Sequence, residues 1–393
     1  MLIKQYHFVS ETAKQFISNN SYIYLDIETT GLKRDTTILY LIGCGYYEKE
    51  AFHIVQWFND DGTSEPAMIL ALKDFLSAHP GPLFTFNGEG FDIPYLNRHY
   101  VLNDIDYQIY LPDSLDLYRI LRPFQTLFRL PHGRQKDWEK FLGIFREDTY
   151  NGGQLINIYK QYLITKKEEL LHLLLLHNKE NIQGMEALLP LSSYDALLKG
   201  QFTFEAVCGC FEENSSETLE VHCRLVQPLP KPLHISVNLT EELSVSDYQF
   251  LNAQVQIVDD QMTLFIPVFY ENLKYFYSDY KNYFYLPEED RAIHKSVGCF
   301  VDSAFREKAK PSTCYIRKKG KFLPLLPRQK YKGIQSEQNF CDDSWPLYKR
   351  EYKDKYSFIE MDALFSKEKE EITTYLYNYM KDIFIFDMKK AAT

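Results

Sequence analysis

The spacing of apolar and polar positions divides the chain into two stretches of different texture. In residues 22–32, YIYLDIETTGL, apolar side chains flank two acids one residue apart, Asp26 and Glu28. Strand side chains alternate faces, so this spacing projects both carboxylates from one face of a predicted strand. The next stretch, TTILYLIGCGYYEKEAFHIVQWF, predicts two long strands joined near Glu48-Lys49. EPAMILALKDFLSAH has helical spacing, with Ser64 at its N-cap and Pro66 in its first turn. GPLFTFNG predicts a short strand and DIPYLNRHYVL a helix starting at its end. SLDLYRILRPF, QKDWEKFLGI and TKKEELLHLLLLHNKENIQGMEALL predict three further helices.

Three adjacent strands, a helix, a strand and more helices do not follow a Rossmann order. They suit an α/β unit: a mixed sheet, antiparallel first and parallel afterwards, with helices on its faces. Around residues 193–202 the texture changes to short aromatic and β-branched runs broken by Pro, Asn, Asp and Gly. The expected organisation is an α/β domain over 1–197 and a β-rich α+β domain over 198–393. SKEKEEITTYLYNYMKDIFIF closes the second as a helix. No internal repeat is apparent.

Composition adds limits. The 44 Lys and Arg against 54 Asp and Glu give a formal net charge of −10, which argues against a protein that coats nucleic acid non-specifically. It does not exclude a nuclease, whose metal-binding carboxylates make its own site acidic. Seven cysteines without repeated spacing read as reduced thiols. Cys208-Gly-Cys210 is the only close pair, and without a second pair it falls short of zinc-site spacing. The N-terminus lacks the apolar segment of a signal peptide, and the leucine run LLHLLLLHN is too short to span a bilayer. A cytoplasmic location is the expectation.

The acids of the first predicted strand have two readings. They decorate an exposed strand face, or a hard, oxygen-seeking dication holds them together. FNGEGFD supplies Asn87, Phe91 and Asp92 at a strand–helix junction, where Asp92 alone reads equally as a helix-capping carboxylate. LLLLHNKENI sets His177 and Asn181 four apart on one helical face. A lone histidine on a leucine-rich helix is more often a hydrogen-bonded core residue than a catalyst.

Together these three pieces resemble the RNase H-like DEDD exonuclease superfamily over residues 20–192. DIETTGL and FNGEGFDIPYL match its first two motifs, and the His-bearing helix matches the third. Within the superfamily the chain is most similar to the YprB-like group of bacterial proteins, whose third motif reads His-Asn-x-x-Asp. KDWEKFLGIFREDTYNGGQLI resembles that group's linker between motifs. The C-terminal half resembles an extension in some clostridial relatives.

The resemblance implies a 3′–5′ exonuclease of DNA or RNA that uses two ions of Mg²⁺ or Mn²⁺. By that resemblance, Asp26 bridges the metals, Glu28 completes one site and Asp92 holds the other. His177 orients or deprotonates the attacking water, while Asn87 and Phe91 shape the substrate pocket. The motif's final aspartate falls on Asn181, an uncharged and weaker ligand, so an Asn181→Asp change is expected to strengthen activity. Glu180 points about 100° away around the helix and does not substitute. Asp116 reads as a supporting carboxylate or as a helix cap. Asn181 also keeps open a second reading, a catalytically weak relative that binds nucleic acid or a protein partner.

A possible grip for a single strand lies later in the chain. Residues 308–336 carry nine Lys or Arg and no acid. CYIRKKGKFLPL within it predicts a hairpin, with Arg317, Lys318, Lys319 and Lys321 around a turn at Gly320. Upstream, residues 269–285 hold nine aromatics. Cations beside aromatic rings suit phosphate contact and base stacking on a single-stranded end. The alternative is that the aromatics are sheet core and the lysines a solvated edge that discourages strand pairing.

Overall fold

The computed structural model describes residues 1–9, 22–48, 51–110, 114–213, 216–239, 252–325, 330–331, 334–335, 346–354 and 356–392. The chain divides into two compact units, Met1–Asp195 and Ala196–Thr393. Among the described residues no helix is long and apolar enough to cross a membrane.

The first unit is built on a six-stranded sheet. Its strands are β1 (Leu2–Val9), β2 (Ile23–Thr29), β3 (Leu39–Glu48), β4 (Ala51–Phe58), β5 (Leu83–Thr85) and β6 (Ser114–Asp116), in the order β1-β4-β3-β2-β5-β6. The β1–β4, β4–β3 and β3–β2 pairs are antiparallel, and β2–β5 and β5–β6 are parallel. This is the mixed sheet that the pattern predicts. Lys49 of the expected β3–β4 turn lies outside the described residues.

Among the described residues the sheet is accompanied by α1 (Glu65–Ala78), α2 (Asp92–Leu102), α3 (Leu117–Leu127), α4 (Gln135–Leu142), α5 (Gly152–Thr165) and α6 (Glu168–Ala187). One apolar cluster packs Leu25, Ile27, Ile42 and Trp57 of the sheet with Met68, Leu72, Ile93 and Leu96 of α1 and α2. A second joins Tyr40, Leu41 and Phe58 to Leu155 and Tyr159 of α5 and Leu171, Leu174 and Leu175 of α6. Both clusters contain residues of β3 and β4, so helices shield the sheet from two sides.

Local chemistry moves several boundaries. SLDLYRILRPF is not one helix, because Ser114–Asp116 pairs with β5 and only then does α3 begin. Ser64 sits at the N-cap of α1 without capping it; its hydroxyl donates to Asp61 at 2.7 Å. The edge strand β1 and helix α5 escaped the sequence pattern. The second is started by a reciprocal Asn151–Gln154 capping box.

Close packing between β3 and α6 explains the glycines of LIGCGYY. Gly43 lies opposite Asp26 in the β2–β3 register, and a Cβ on it would fall 2.1 Å from Asn178 Oδ1. The missing side chain gives α6 its approach to β2.

The second unit is dominated by strands, as its texture predicts, and the helix Lys369–Ala392 closes it. Its main sheet contains β7 (Phe202–Glu213), β8 (Ser216–Leu225), β9 (Leu233–Asn238), β10 (Asn252–Val258) and the long β11 (Gln261–Phe276). Three short strands, β12 (Tyr283–Leu286), β13 (Arg291–His294) and β14 (Glu307–Lys308), form a separate sheet. The main sheet continues through β15 (Tyr315–Leu325), and β16 (Lys330–Tyr331) and β17 (Ile334–Gln335) pair with each other. Two further strands, β18 (Leu347–Lys349) and β19 (Ser357–Glu360), complete the main sheet.

The expected basic hairpin is absent. Arg317 to Lys321 lie within the uninterrupted β15, and Gly320 sits opposite Glu271 of β11 in regular antiparallel register. Pairing with β11 holds the segment extended, and β19 pairs with the rest of the strand from Phe322 to Leu325. Its cations meet acids: Arg317 with Asp290, Lys318 with Glu360 and Lys321 with Glu217, each at 2.5 Å. Lys319 lies over the Tyr270 ring, 5.4 Å from its centroid. Much of the aromatic run packs on itself and its sheet, with Phe269 against Phe358 and Tyr277 stacked on Tyr283. Arg328 and Lys332 of the basic stretch lie outside the described residues.

Candidate active site

Asp26 and Glu28 lie near the C-terminal end of β2. The parallel partner β5 pairs only with Ile23 and Tyr24, so β2 runs on beyond it. Asp92, the first residue of α2, occupies that space. Its Oδ1 accepts the Ile27 N–H at 3.0 Å, so the carboxylate bonds across to β2. Phe91, not Asp92, holds the N-cap position.

From the other side α6 presents His177, Asn178 and Asn181. Asn178 Nδ2 donates to Asp26 Oδ2 at 2.8 Å, and Asn181 Nδ2 donates to the same oxygen at 3.1 Å. His177 Nε2 lies 3.4 Å from Glu28 Oε1. Asp26, Glu28, Asp92, His177 and Asn181 thus come together, drawn from two strand positions, a helix start and one helix face.

The turn between β5 and α2 carries the other two predicted residues. Asn87 is exposed, with a left-handed backbone at φ 66°, and its N–H donates to Asp116 Oδ1 at 2.7 Å. Phe91 is half-buried against Tyr95. Asp116 also accepts the Glu89 and Tyr118 N–H groups, so it caps α3 and anchors the turn in one action. Arg317, Lys318, Lys319 and Lys321 belong to the second unit.

Several residues at the site were not singled out by sequence. Asp148 Oδ2 lies 2.7 Å from His177 Nδ1 and 2.6 Å from Lys136 Nζ. The Glu180 carboxylate, a poor candidate ligand, accepts the Glu147 and Asp148 N–H groups and so fixes the segment that presents Asp148. Gln56 of β4 donates to Asn178 Oδ1 at 2.7 Å, orienting that amide with its nitrogen toward Asp26. Arg146 Nη1 donates to Asn181 Oδ1 at 2.6 Å and is itself paired with buried Glu139. Asn178 carried a sequence signal as the second residue of the His-Asn-x-x motif, and Lys136, Glu139, Arg146 and Asp148 all fall within the linker-like stretch KDWEKFLGIFREDTYNGGQLI. Their contacts with the site, like that of Gln56, span separations that no local pattern encodes.

Crowding of acids sets the electrostatics. Burial pushes Asp26 up to about 6, although hydrogen bonds from Asn181 and Asn178 and the charge of Arg146 oppose it. Glu28 is held well above the carboxylate range by burial, then by repulsion from Asp26, Asp92 and Asp148. Burial and Asp26 do the same to Asp92. Burial lowers His177 below the ordinary imidazole value, against the pull of Asp148. Asp148 is buried too, yet Lys136 and His177 bring it below its usual range.

Three crowded carboxylates at one strand end are hard oxygen donors short of positive charge, a set that fits a hard divalent cation. Among the described residues the tightest mixed cluster lies elsewhere: Cys208, Glu220 and His222 bring their ligand atoms within 4.8 Å of one another. The acidic cluster is more open than that.

Residues 23–191 match the family model described as the RNase_H superfamily, and this region has the RNase H-like fold. No curated protein matches the chain. Among solved structures, the zinc-bound form of the E. coli ExoI–ssDNA complex is similar at 13% identity with a TM-score of 0.29. That match covers 52% of this chain and 54% of the other. The family B DNA polymerase of the archaeon Pyrobaculum calidifontis is similar at 10% identity and a TM-score of 0.40, over 94% of this chain and 46% of that one. The chain therefore spans about half the length of the structures it matches.

Proposed function

We propose that the first unit is a metal-dependent nuclease that hydrolyses phosphodiester bonds of DNA or RNA, working as a 3′–5′ exonuclease on single-stranded ends. The observation that carries this reading is the meeting of Asp26, Glu28 and Asp92 with His177 at one end of the sheet. The match to the RNase_H superfamily supports it. The 3′–5′ direction and the YprB-like assignment rest on the motif resemblance.

Asp26, Glu28 and Asp92 would hold the metal ion, with Asn181 beside them. When bound, Mg²⁺ or Mn²⁺ supplies Lewis-acid polarisation of the phosphate and lowers the pKa of a coordinated water. His177 handles the proton. A carboxylate can only accept, so the Asp148 contact places a proton on His177 Nδ1 and leaves Nε2, on the Glu28 side, as the base. Asp148 then stabilises the imidazolium as it forms, and Lys136 balances Asp148. Asn87 and Phe91, at the turn before Asp92, would border the nucleotide.

The test is incubation with end-labelled single- and double-stranded DNA and RNA, with Mg²⁺ or Mn²⁺, against Asp26→Ala. Metal-dependent loss of 3′-terminal nucleotides, absent from the variant, is expected. Equal background in both proteins would overturn the nuclease reading. A second reading, a binding protein of weak or no activity, is favoured by one feature, the amide at position 181. Retained oligonucleotide affinity without cleavage would support it.

A further inference from the structure

We propose that the site holds a single dication, because Arg146 and Asn181 fill the place where a second would need a ligand. The inference rests on the metal-dependent reading above and narrows it. Asn181 Nδ2 faces Asp26 and Glu28, at 3.1 and 3.4 Å, while Oδ1 accepts from Arg146 Nη1 at 2.6 Å. A guanidinium only donates and a carboxylate only accepts, so both neighbours fix the same amide orientation. The one atom of Asn181 able to ligate a metal is turned away from the carboxylates.

Arg146 is anchored. Its Nε and Nη2 both meet the Glu139 carboxylate, and the two side chains are 7% and 1% exposed. Gln135 Nε2 donates to Glu139 Oε1 at 2.8 Å and to the Asn181 carbonyl at 2.7 Å, tying the cluster to α6. Gly184, one turn further along α6, leaves the room: a Cβ there would fall 1.9 Å from Glu139 Oε1. An aspartate at 181 would therefore pair with Arg146 before it met a metal. This changes the expectation from sequence, in which Asn181→Asp alone restores the missing ligand.

The experiment counts Mn²⁺ ions per full-length chain, by electron paramagnetic resonance and equilibrium dialysis, with a nucleoside 5′-monophosphate present. Only ions lost in Asp26→Asn are assigned to the site. The parent protein and Asn181→Asp should each hold one. A second should appear only when Asn181→Asp is combined with Arg146→Gln and Glu139→Gln, the last included so that no buried carboxylate is left unpaired. Two Asp26-dependent ions in the parent, or a second ion in Asn181→Asp alone, would overturn the inference. No Asp26-dependent ion in any form would instead overturn the metal-dependent reading beneath it.

A different observation carries a second site, in the other unit. The β7–β8 register steps from Val207 opposite Val221 to Gly209 opposite Glu220, leaving Cys208 as the extra residue of a bulge. Across the pair, Glu220 and His222 lie two apart on one face, and His222 Nε2 is 2.8 Å from Glu220 Oε1. With Cys208 they form the cluster whose ligand atoms lie within 4.8 Å. Thiolate, imidazole and carboxylate with one position open suit Zn²⁺. We infer that this bulge binds Zn²⁺, with Cys208, Glu220 and His222 as its three protein ligands. Co²⁺ titration of the reduced full-length protein should give a thiolate-to-cobalt charge-transfer band that Cys208→Ser removes and that His222→Ala weakens at least tenfold in affinity. Absence of the band, or a band unchanged in Cys208→Ser, would overturn it.

Discussion

His177 Nδ1 lies 2.7 Å from Asp148 Oδ2, across 29 residues of sequence. This pair separates a core histidine that is merely hydrogen-bonded from one held in a defined tautomer. It leads to a kinetic expectation. Asp148→Asn keeps volume and an acceptor but loses the charge that stabilises imidazolium. Its single-turnover cleavage rate should fall by at least about tenfold, and that of His177→Ala by about 100-fold or more, within the span of general base catalysis. Mn²⁺ affinity should stay within about twofold in both. Cleavage by Asp148→Asn at the parent rate would remove Asp148 from the mechanism.

The crowded acids set a pH dependence of stability in metal-free protein. Asp26 rises from 3.8 to about 6 on folding, so between those values the folded form keeps a proton that the unfolded chain has released. Stability from this group is therefore full below about pH 4 and is lost as pH rises through about 6. Asp26→Asn removes the effect. In the presence of chelator the Tm of the variant should exceed that of the parent by a margin that grows between pH 4 and pH 6. Added Mn²⁺ should raise the parent Tm and leave the variant nearly unmoved. A margin independent of pH would show that Asp26 is not under this strain.

Gly43 and Asn178 offer a test of the scaffold. A methyl group at 43 would collide with Asn178 Oδ1 and push α6 off β2. Gly43→Ala should cost about 1–3 kcal/mol of stability, in the range of overpacking, and weaken Mn²⁺ binding. Denaturant unfolding and a Mn²⁺ titration check both. An unchanged unfolding midpoint would mean that the helix adjusts freely.

On β15 the useful substitution is Lys319→Glu. Its neighbours Arg317, Lys318 and Lys321 are matched with acids, whereas Lys319 stands over an aromatic ring. If the strand touches nucleic acid, affinity for a single-stranded oligonucleotide should fall severalfold. The slope of log affinity against log salt should shrink by about one. An unchanged slope would confine these cations to the sheet edge.

The sequence alone determined which elements carry the candidate residues Asp26, Glu28, Asp92, His177 and Asn181. Period-two spacing put Asp26 and Glu28 on one strand face, and helical spacing put His177 and Asn181 on one helix face, because local geometry is short-ranged. The mixed sheet and the strand-rich second unit were legible for the same reason. Other features depended on contacts between distant segments. Pairing with β11 made the basic run a straight strand, since a glycine between lysines is equally at home in a turn or opposite a partner. Asp148 and Arg146 fall in the linker-like stretch, but no local spacing encodes their contacts with His177 and Asn181 on another helix. The direction of the Asn181 amide was likewise a tertiary decision. It follows from a guanidinium on one side and a carboxylate on the other, and only the folded chain sets both.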